Sequence, residues 1–248
     1  MTSSMRLVAF VSTVAAALVV VGASAGPAAG AYVTPTVADF SSQIDAGGIR
    51  DAVHTVDGSG LLGPDTEFSH AAHSSGEGVH WTTKGGVQTP NDQAPFITYD
   101  LGSVANVTGI HVWNGNQEGG DGFGPYTQEA PRLVDIFAGT GLDSLSLAGR
   151  VTFLPGTGDD TYTGDDVADL PALEGVQFVR FQFVDTYDNA VFPSADTTFA
   201  PGDRGRYLVN LSEVRFSTRA VPEPASALVM LLGGLGVLVR RRRGTGAA

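Results

Sequence analysis

The middle of the chain alternates short apolar runs with polar connections that are rich in glycine. Each run carries β-branched and aromatic residues and is bounded by Gly, Asn, Asp or Pro, which is typical of strands rather than helices. Between residues 32 and 219 we find neither an amphipathic helix of normal length nor a repeat of fixed period. The pattern therefore predicts one all-β sandwich or barrel. The runs are 95–101, 107–113, 132–137, 176–184 and 207–216.

Residues 155–171, PGTGDDTYTGDDVADLP, differ from these runs because they combine glycine, proline and aspartate without apolar alternation. We interpret the segment as a long acidic loop between two strands. Its paired carboxylates are then solvated surface charges. The pairs are Asp159 with Asp160 and Asp165 with Asp166.

The first residues have the composition of an export signal. Arg6 precedes an apolar stretch over residues 7–21, and two small-residue sites of the A-x-A type follow at 23–25 and 29–31. This order predicts a signal peptide over residues 1–31 that is removed on export. The alternative is an uncleaved N-terminal helix.

The last residues join an apolar segment to a basic cluster. Residues 225–239 are apolar, but about fifteen residues are fewer than the roughly twenty that a spanning helix needs. Basic residues close to a membrane stay on its cytoplasmic side, so the cluster would hold the end of the segment there. A short motif precedes the segment. The motif is Val221, Pro222, Glu223 and Pro224, and the cluster is Arg240, Arg241, Arg242 and Arg243.

This motif, segment and arginine cluster, in that order at the C-terminus, resemble the PEP-CTERM sorting signal. The resemblance implies that residues 220–248 hold the protein transiently in the inner membrane of a Gram-negative bacterium, through a short hydrophobic transmembrane helix. It also implies an exosortase-type enzyme as a partner, which cleaves the tail. The alternative is a permanent single-pass anchor, against which the shortness of the segment argues.

Charge narrows the choice of partners. The chain has 14 basic and 26 acidic residues, and without the two terminal signals nine basic residues face 25 acidic ones, a net charge of −16. Nucleic acid needs a basic face to replace its counterions, so this composition excludes it as a partner. An acidic surface favours divalent cations and repels anionic polymers. The chain has no cysteine, so no disulfide can stabilise the exported domain.

The predicted strands carry a second set of characteristic strings. These are DLG at 100–102, Asn114, Arg132, FVR at 178–180 and LSEV at 211–214. Their content and order resemble the discoidin or coagulation-factor type C domain. The resemblance covers residues 49–216 and implies a galactose-binding-like jelly-roll β-sandwich over residues 32–219. It also implies a binding module rather than an enzyme.

Three observations argue against catalysis. Between residues 32 and 219 no nucleophile elbow G-x-S-x-G occurs, and the chain has no phosphate-binding loop G-x-x-x-x-G-K-[ST]. The spacing of His70, His73 and His80 matches no established zinc motif, and His111, in a strand beside Trp113, is interpreted as a packing histidine. The acidic pairs lie in a loop, whereas glycoside hydrolysis needs carboxylates on two sides of a cleft. The sequence therefore predicts a non-enzymatic protein, with a glycan-active hydrolase as the less favoured alternative.

Carbohydrate recognition needs an aromatic platform for the C–H faces of a sugar and polar side chains for its hydroxyls. Aromatic and amide side chains gather around the glycine-rich junction that follows residue 113. Trp113 is equally well explained by core packing at the end of its strand. The candidate ligand residues are Trp81, Trp113, Asn114, Asn116 and Tyr126.

The second resemblance further implies a structural calcium ion between the early Asp-Gly loop and the glutamate of the closing strand. The matching positions are Asp57 and Glu213. Calcium prefers carboxylate and carbonyl oxygens, and extracellular sites bind it with a Kd of about 0.1–1 mM. The alternative is an Asp-Gly turn at Asp57 and a solvated strand residue at Glu213. No organic cofactor is implied.

These features predict an exported, non-catalytic carbohydrate-binding protein of the cell envelope or the extracellular matrix. Its expected partner outside the cell is extracellular polysaccharide or a surface glycan. The alternative is a structural matrix component without a defined ligand.

Overall fold

The computed structural model of the protein describes most of residues 31–220. The predicted signal peptide and the predicted sorting tail lie outside the described residues, except for Ala31 and Ala220 at their inner ends. Within the described part, no helix has the length and apolar character needed to cross a membrane. The described residues are 31–44, 46–66, 69–76, 78–84, 92–119, 126–188, 190, 192 and 208–220.

The secondary structure of these residues consists of β-strands and three short 3₁₀ helices, without an α-helix, which confirms the all-β prediction. The strands are β1 (Ala31–Val33), β2 (Thr36–Phe40), β3 (Trp81–Thr82), β4 (Phe96–Asn114), β5 (Leu133–Gly139), β6 (Ser146–Thr152), β7 (Asp165–Asp166), β8 (Leu173–Phe183) and β9 (Asn210–Ala220). The 3₁₀ helices are Ala52–Thr55, Tyr126–Glu129 and Leu142–Ser144.

Strand β4, which is 19 residues long, joins the two halves of the fold because its ends pair with different strands. Its first part pairs with β2 and β8, whereas its second part pairs mainly with β9 and β7. The change of partner coincides with a register shift between Asp100 and Ala105. Gly102 lies within this shift, and its φ of 79° is in the left-handed region that favours glycine. The Asp-Leu-Gly string therefore marks the point where β4 changes partners.

The hydrogen-bonded order β1-β9-β4-β8-β5-β6 folds over into two layers around one core. Aromatic rings of β8 contact rings of strands with which β8 does not pair. The ring centroids of Phe181 and Phe216 in β9 are 6.3 Å apart, and those of Phe183 and Trp81 in β3 are 6.0 Å apart. All four side chains are buried. This packing confirms the predicted sandwich.

The apolar runs located the long strands but missed the short and polar ones. Runs 95–101 and 107–113 are the two parts of β4, and the other three runs overlap β5, β8 and β9. Strand β6 was missed because it is a sheet edge on which only Val151 is buried. Residues 155–171 form the predicted acidic loop, except that Asp165–Asp166 pair with β4 as β7.

Candidate functional site

A cavity of about 140 Å³ opens between the end of β6 and strand β7. The antiparallel pairing of β7 with β4 places Asp165 opposite Val112 and Asp166 opposite His111. Val112 and both aspartates line the cavity, together with residues 152–154 that end and follow β6. We call this cavity the β6–β7 pocket.

Hydrogen bonds through Asn114 hold the two sides of the pocket together. The Asn114 Nδ2 group donates to the carbonyl oxygen of Leu154 at 2.8 Å, and the Asn114 N–H donates to the Tyr162 hydroxyl at 3.3 Å. The Tyr162 hydroxyl in turn donates to Asp165 Oδ2 at 2.9 Å. Burial, and then the charge of Asp165, raise the pKa of Tyr162 above its usual value. The phenol therefore stays protonated and keeps the Asp165 carboxylate in place.

The pocket combines an apolar side with an acidic one. Leu154 is 53% exposed, and the side chain of Asp166 is 85% exposed. An ionised carboxylate only accepts hydrogen bonds, so the acidic side suits a ligand that offers hydroxyl donors. The apolar side suits a ligand that also has C–H surface.

Both predicted tryptophans lie in the core rather than at a surface. Trp81 and Trp113 are 0% exposed. Their indole N–H groups donate to the carbonyl oxygens of Ser42 and Ala71, each at 2.9 Å. Neither ring face is accessible for stacking on a sugar in this structure. For Trp113 the packing interpretation is therefore the one that the structure supports.

Asn114 and Asn116 are also buried, with 1% exposure each, and their side chains bind the protein itself. The Asn116 Nδ2 group donates to the carbonyl oxygens of His73 and Asp159, at 2.9 and 2.8 Å. Its Oδ1 atom accepts the Gly158 N–H at 2.8 Å. The two asparagines thus position the segments around the pocket instead of presenting an amide to solvent.

Tyr126 is the one predicted ligand residue with a partly exposed side chain. It begins the 3₁₀ helix Tyr126–Glu129, and its N–H donates to the carbonyl oxygen of Gln117 at 3.1 Å. It does not line the β6–β7 pocket. Tyr126 therefore stays a candidate platform at a separate place.

Within the described residues, His73 and His80 do not join His70 in a group that could bind a metal ion. Burial lowers the pKa of His73 to about 4 and that of His80 to about 3, so both rings are neutral near pH 7. The His73 Nδ1–H group donates to the carbonyl oxygen of Ser74 at 2.8 Å. His70 lies instead against His111, with ring centroids 3.3 Å apart. Within the described residues, these two histidines and Asp166 form a group whose ligand atoms lie within 4.8 Å of one another.

The two predicted calcium positions do lie in adjoining parts of the fold. The Gly58 N–H donates to both carboxylate oxygens of Glu213, at 3.3 and 3.2 Å, so the Asp-Gly loop lies against the closing strand. Glu213 is 0% exposed, so the interpretation of this residue as solvated is wrong. The Asp57 carboxylate accepts the Ser59 N–H at 2.9 Å, which is the expected Asp-Gly turn. Burial opposes its ionisation, but bonds from Ser59 and His54 hold the pKa of Asp57 below its usual value.

A guanidinium group already occupies the space next to Glu213. Arg215 Nη1 contacts the Glu213 carboxylate and donates to the carbonyl oxygen of Val56 at 3.1 Å. Burial raises the pKa of Glu213 to about 8, although Arg215 counteracts this effect. A carboxylate and a carbonyl oxygen are the donors that calcium would need, and Arg215 engages both. The residues present therefore do not fit a calcium ion unless Arg215 moves, and calcium stays a prediction.

The pocket had no direct signal in the sequence. In the sequence, Asp165 and Asp166 have the character of solvated loop charges, and no motif distinguishes Leu154 or Tyr162. The only signal was the position of Asp165, Asp166 and Tyr162 in the acidic loop, and this position does not show that the loop pairs with β4. The pairing of β7 with β4 creates the site, and that pairing comprises two residue pairs.

Comparison with known proteins gives structural likeness but no family. No protein-family model and no curated protein match the sequence. A CBM32 module from a family 31 glycoside hydrolase of Clostridium perfringens is 11% identical, with a TM-score of 0.45, over 75% of this chain and 92% of that chain. A fucolectin from striped bass (Morone saxatilis) serum is 15% identical, with a TM-score of 0.46, over 78% and 52%. An F5/8 type C domain from Bacteroides fragilis is 13% identical, with a TM-score of 0.39, over 76% and 99%.

Proposed function

We propose that the protein is an exported, non-catalytic carbohydrate-binding protein that acts at the cell surface or in secreted polysaccharide. The observation that carries the proposal is the β6–β7 pocket, which is lined by the half-buried Asp165, the exposed Asp166 and the exposed Leu154. Small-ligand sites commonly combine an apolar surface with a few fixed polar groups. Sugars fit this combination because they have apolar C–H faces and hydroxyl donors.

The charge of the pocket favours neutral glycans. Asp165 is held as an acceptor by Tyr162, and Asp166 is largely exposed beside it. The domain around them has a net charge of −16. Uronic acid or sulfated polymers would meet repulsion from both the pocket and the whole domain. We therefore expect hydroxyl-rich neutral sugars to bind and anionic polysaccharides to bind weakly or not at all.

The arrangement of the carboxylates argues against hydrolysis. Glycosidases place two carboxylates on either side of the scissile bond. Here Asp165 and Asp166 are consecutive residues of one strand, and the side formed by Thr152, Phe153 and Leu154 offers no carboxylate. The pocket can hold a sugar but does not provide an acid and a base across it.

A glycan array with neutral and anionic glycans tests the binding proposal. We expect Asp165→Asn and Leu154→Ala to lose glycan retention. The thermal midpoint should change little, because Leu154 is half exposed and the amide oxygen introduced by Asp165→Asn can still accept from Tyr162. Leu147→Ala is the matched control, since Leu147 is 58% exposed on β6 and does not line the pocket. Absence of any glycan binding by the wild type would overturn the proposal and favour a structural matrix component.

Tyr126→Ala separates the two candidate places for the ligand. Loss of retention in this variant, with normal retention in Asp165→Asn, would move the site from the pocket to the 3₁₀ helix Tyr126–Glu129. A large loss of stability in Tyr126→Ala would instead assign its ring to packing.

We further propose that the C-terminal tail is a sorting signal read by an exosortase-type enzyme. Its support is the order of the VPEP motif, the short apolar segment and the arginine cluster. Intact-mass analysis of the envelope-associated protein tests it, because a sorted protein should end near residues 221–224. A mass that includes residues 240–243 would contradict sorting and support a permanent anchor.

A further inference from the structure

Two histidines and an aspartate from three separate segments meet beside the β6–β7 pocket. His70 lies in the segment before β3, His111 in β4 and Asp166 in β7. Their ligand atoms all lie within 4.8 Å of one another. We propose that His70, His111 and Asp166 bind a divalent transition metal ion, with Zn²⁺ as the expected ion. We call this group the His–His–Asp site.

The hydrogen bonds of His111 leave one ring nitrogen for the ion. Nε2 lies 2.8 Å from the carbonyl oxygen of Thr163, and a carbonyl oxygen can only accept, so Nε2 carries a hydrogen. Nδ1 lies 2.8 Å from Asp166 Oδ1. Two acceptor atoms at this distance must share a cation, which is either a proton or a metal ion. A backbone carbonyl that fixes the histidine tautomer in this way is typical of metal-binding histidines.

Gly164 allows the close approach of the backbone to His111. A Cβ atom at this position would lie 2.5 Å from His111 Nε2, and the φ of 77° also favours glycine. The backbone can therefore pass against the ring and present the Thr163 carbonyl. The orientation of His111 is thus built into the fold.

His70 is oriented in the same manner by a carboxylate. Its Nδ1 lies 3.1 Å from Asp65 Oδ1, and the Asp65 side chain is only 7% exposed. The other Asp65 oxygen accepts the Tyr32 hydroxyl and lies 3.4 Å from Arg215 Nε, so Asp65 is held as an acceptor. His70 Nδ1 therefore donates, and the lone pair of its Nε2 is available. A carboxylate behind a histidine is a second common feature of zinc ligands.

The donor set and the charge suit zinc. Two imidazole nitrogens and one carboxylate oxygen are established zinc ligands, and a fourth position is left for water. The Asp166 side chain is 85% exposed, which gives an ion direct access from solvent. The acidic domain attracts divalent cations.

Binding requires a limited local movement. Tetrahedral bonds of about 2.0–2.1 Å place ligand atoms roughly 3.3 Å apart. His111 Nδ1 and Asp166 Oδ1, which are 2.8 Å apart, must therefore separate slightly, and the ligand atom of His70 must take the same spacing from both. The rings of His70 and His111 are stacked 12° from parallel, and one ion cannot lie in both ring planes. His70 is the ring that can turn, because it belongs to an irregular segment and is 20% exposed, whereas His111 is fixed on β4.

Calorimetric titration of the untagged, chelator-treated protein with ZnCl₂ near neutral pH tests the site. We expect a single Zn²⁺ to bind per chain, and Co²⁺ in its place to show the visible absorption of a tetrahedral complex. Asp65→Asn should weaken Zn²⁺ binding by about 10- to 100-fold, and His70→Gln by at least as much. His54→Gln is the matched control, since His54 also contacts an aspartate, at 3.1 Å, but both of its ring nitrogens have protein partners.

Absence of Zn²⁺ binding by the wild type, or equal binding by His70→Gln, would overturn the proposal. If Asp65→Asn fails to fold because Asp65 also binds Tyr32, His70→Gln decides alone. Neither His70 nor Asp65 lines the β6–β7 pocket, so glycan retention in these variants is an independent readout. Loss of zinc with normal glycan retention would support the His–His–Asp site whatever the pocket binds.

Discussion

Glu129 makes the stability of the domain depend on pH in a direction that can be worked out. The residue is 5% exposed at the end of its 3₁₀ helix. Burial, and then the negative charge of Asp188, raise its pKa to about 8, against the opposing effect of Arg50. The replacement Glu129→Gln keeps the size of the side chain and removes its ionisation.

The direction of this pH dependence follows from the number of protons that the folded and unfolded chains bind. As pH rises above the ordinary value of 4.5, the unfolded chain loses this proton, whereas the folded chain keeps it until about pH 8. The folded state therefore binds more protons across this window, and stability falls as pH rises through it. A tenfold difference in proton affinity corresponds to about 1.4 kcal/mol. Because the pKa of Glu129 rises from 4.5 to about 8 on folding, its ionisation lowers the free energy of unfolding by at most about 5 kcal/mol.

Urea unfolding, followed by tryptophan fluorescence from about pH 5 to about pH 8, measures this effect. We expect wild type and Glu129→Gln to be similar near pH 5, and the variant to be more stable by about 2–5 kcal/mol near pH 8. Glu213, whose pKa is also raised to about 8, titrates in both proteins and cancels in the difference. Glu174→Gln is the control, because Glu174 is exposed on β8. Stability curves that run parallel at all pH values would refute the reasoning.

Two further predictions concern residues whose role the sequence left open. Asn116→Ala removes three hydrogen bonds of a buried side chain and should lower the free energy of unfolding in urea by about 2–4 kcal/mol. A loss below about 1 kcal/mol would show that other contacts hold the 157–160 segment. If calcium binds between Asp57 and Glu213, the thermal midpoint of the wild type should be lower in chelator than in calcium. At calcium a hundredfold above its Kd the difference in stability is about 2.7 kcal/mol, and the midpoint of Asp57→Ala should be the same in both conditions. Identical melting of the wild type in both conditions would show that Arg215 alone neutralises Glu213.

The sequence by itself predicted the class of fold and the position of its main strands. Apolar alternation is a local property, because successive side chains of a strand point to opposite faces. Residues 133–139 show this directly, since Val134, Ile136 and Ala138 are buried and their neighbours are not. The turn at Asp57, which was the alternative to the calcium site, is also a local feature, since an aspartate before glycine bonds its own backbone.

The candidate site was predicted only in part. Asn114 was predicted as a ligand residue, but in the structure its side chain donates to Leu154 and its N–H donates to Tyr162. Aromatic character alone cannot distinguish a binding platform from a core ring. For Trp81 and Trp113, packing between the two layers decided that question.

Tertiary structure alone decided which distant residues meet. Local pattern assigns a residue to a strand or a loop but not to a partner strand. The pairing of β7 with β4 brings Asp166 to His111, and the folding of the segment before β3 brings His70 onto the same ring. These contacts depend on backbone hydrogen bonds and on the path of irregular segments across the sheet, which no short-range periodicity encodes. The pocket and the His–His–Asp site therefore exist only in the folded chain, because each takes its groups from segments that the sequence keeps apart.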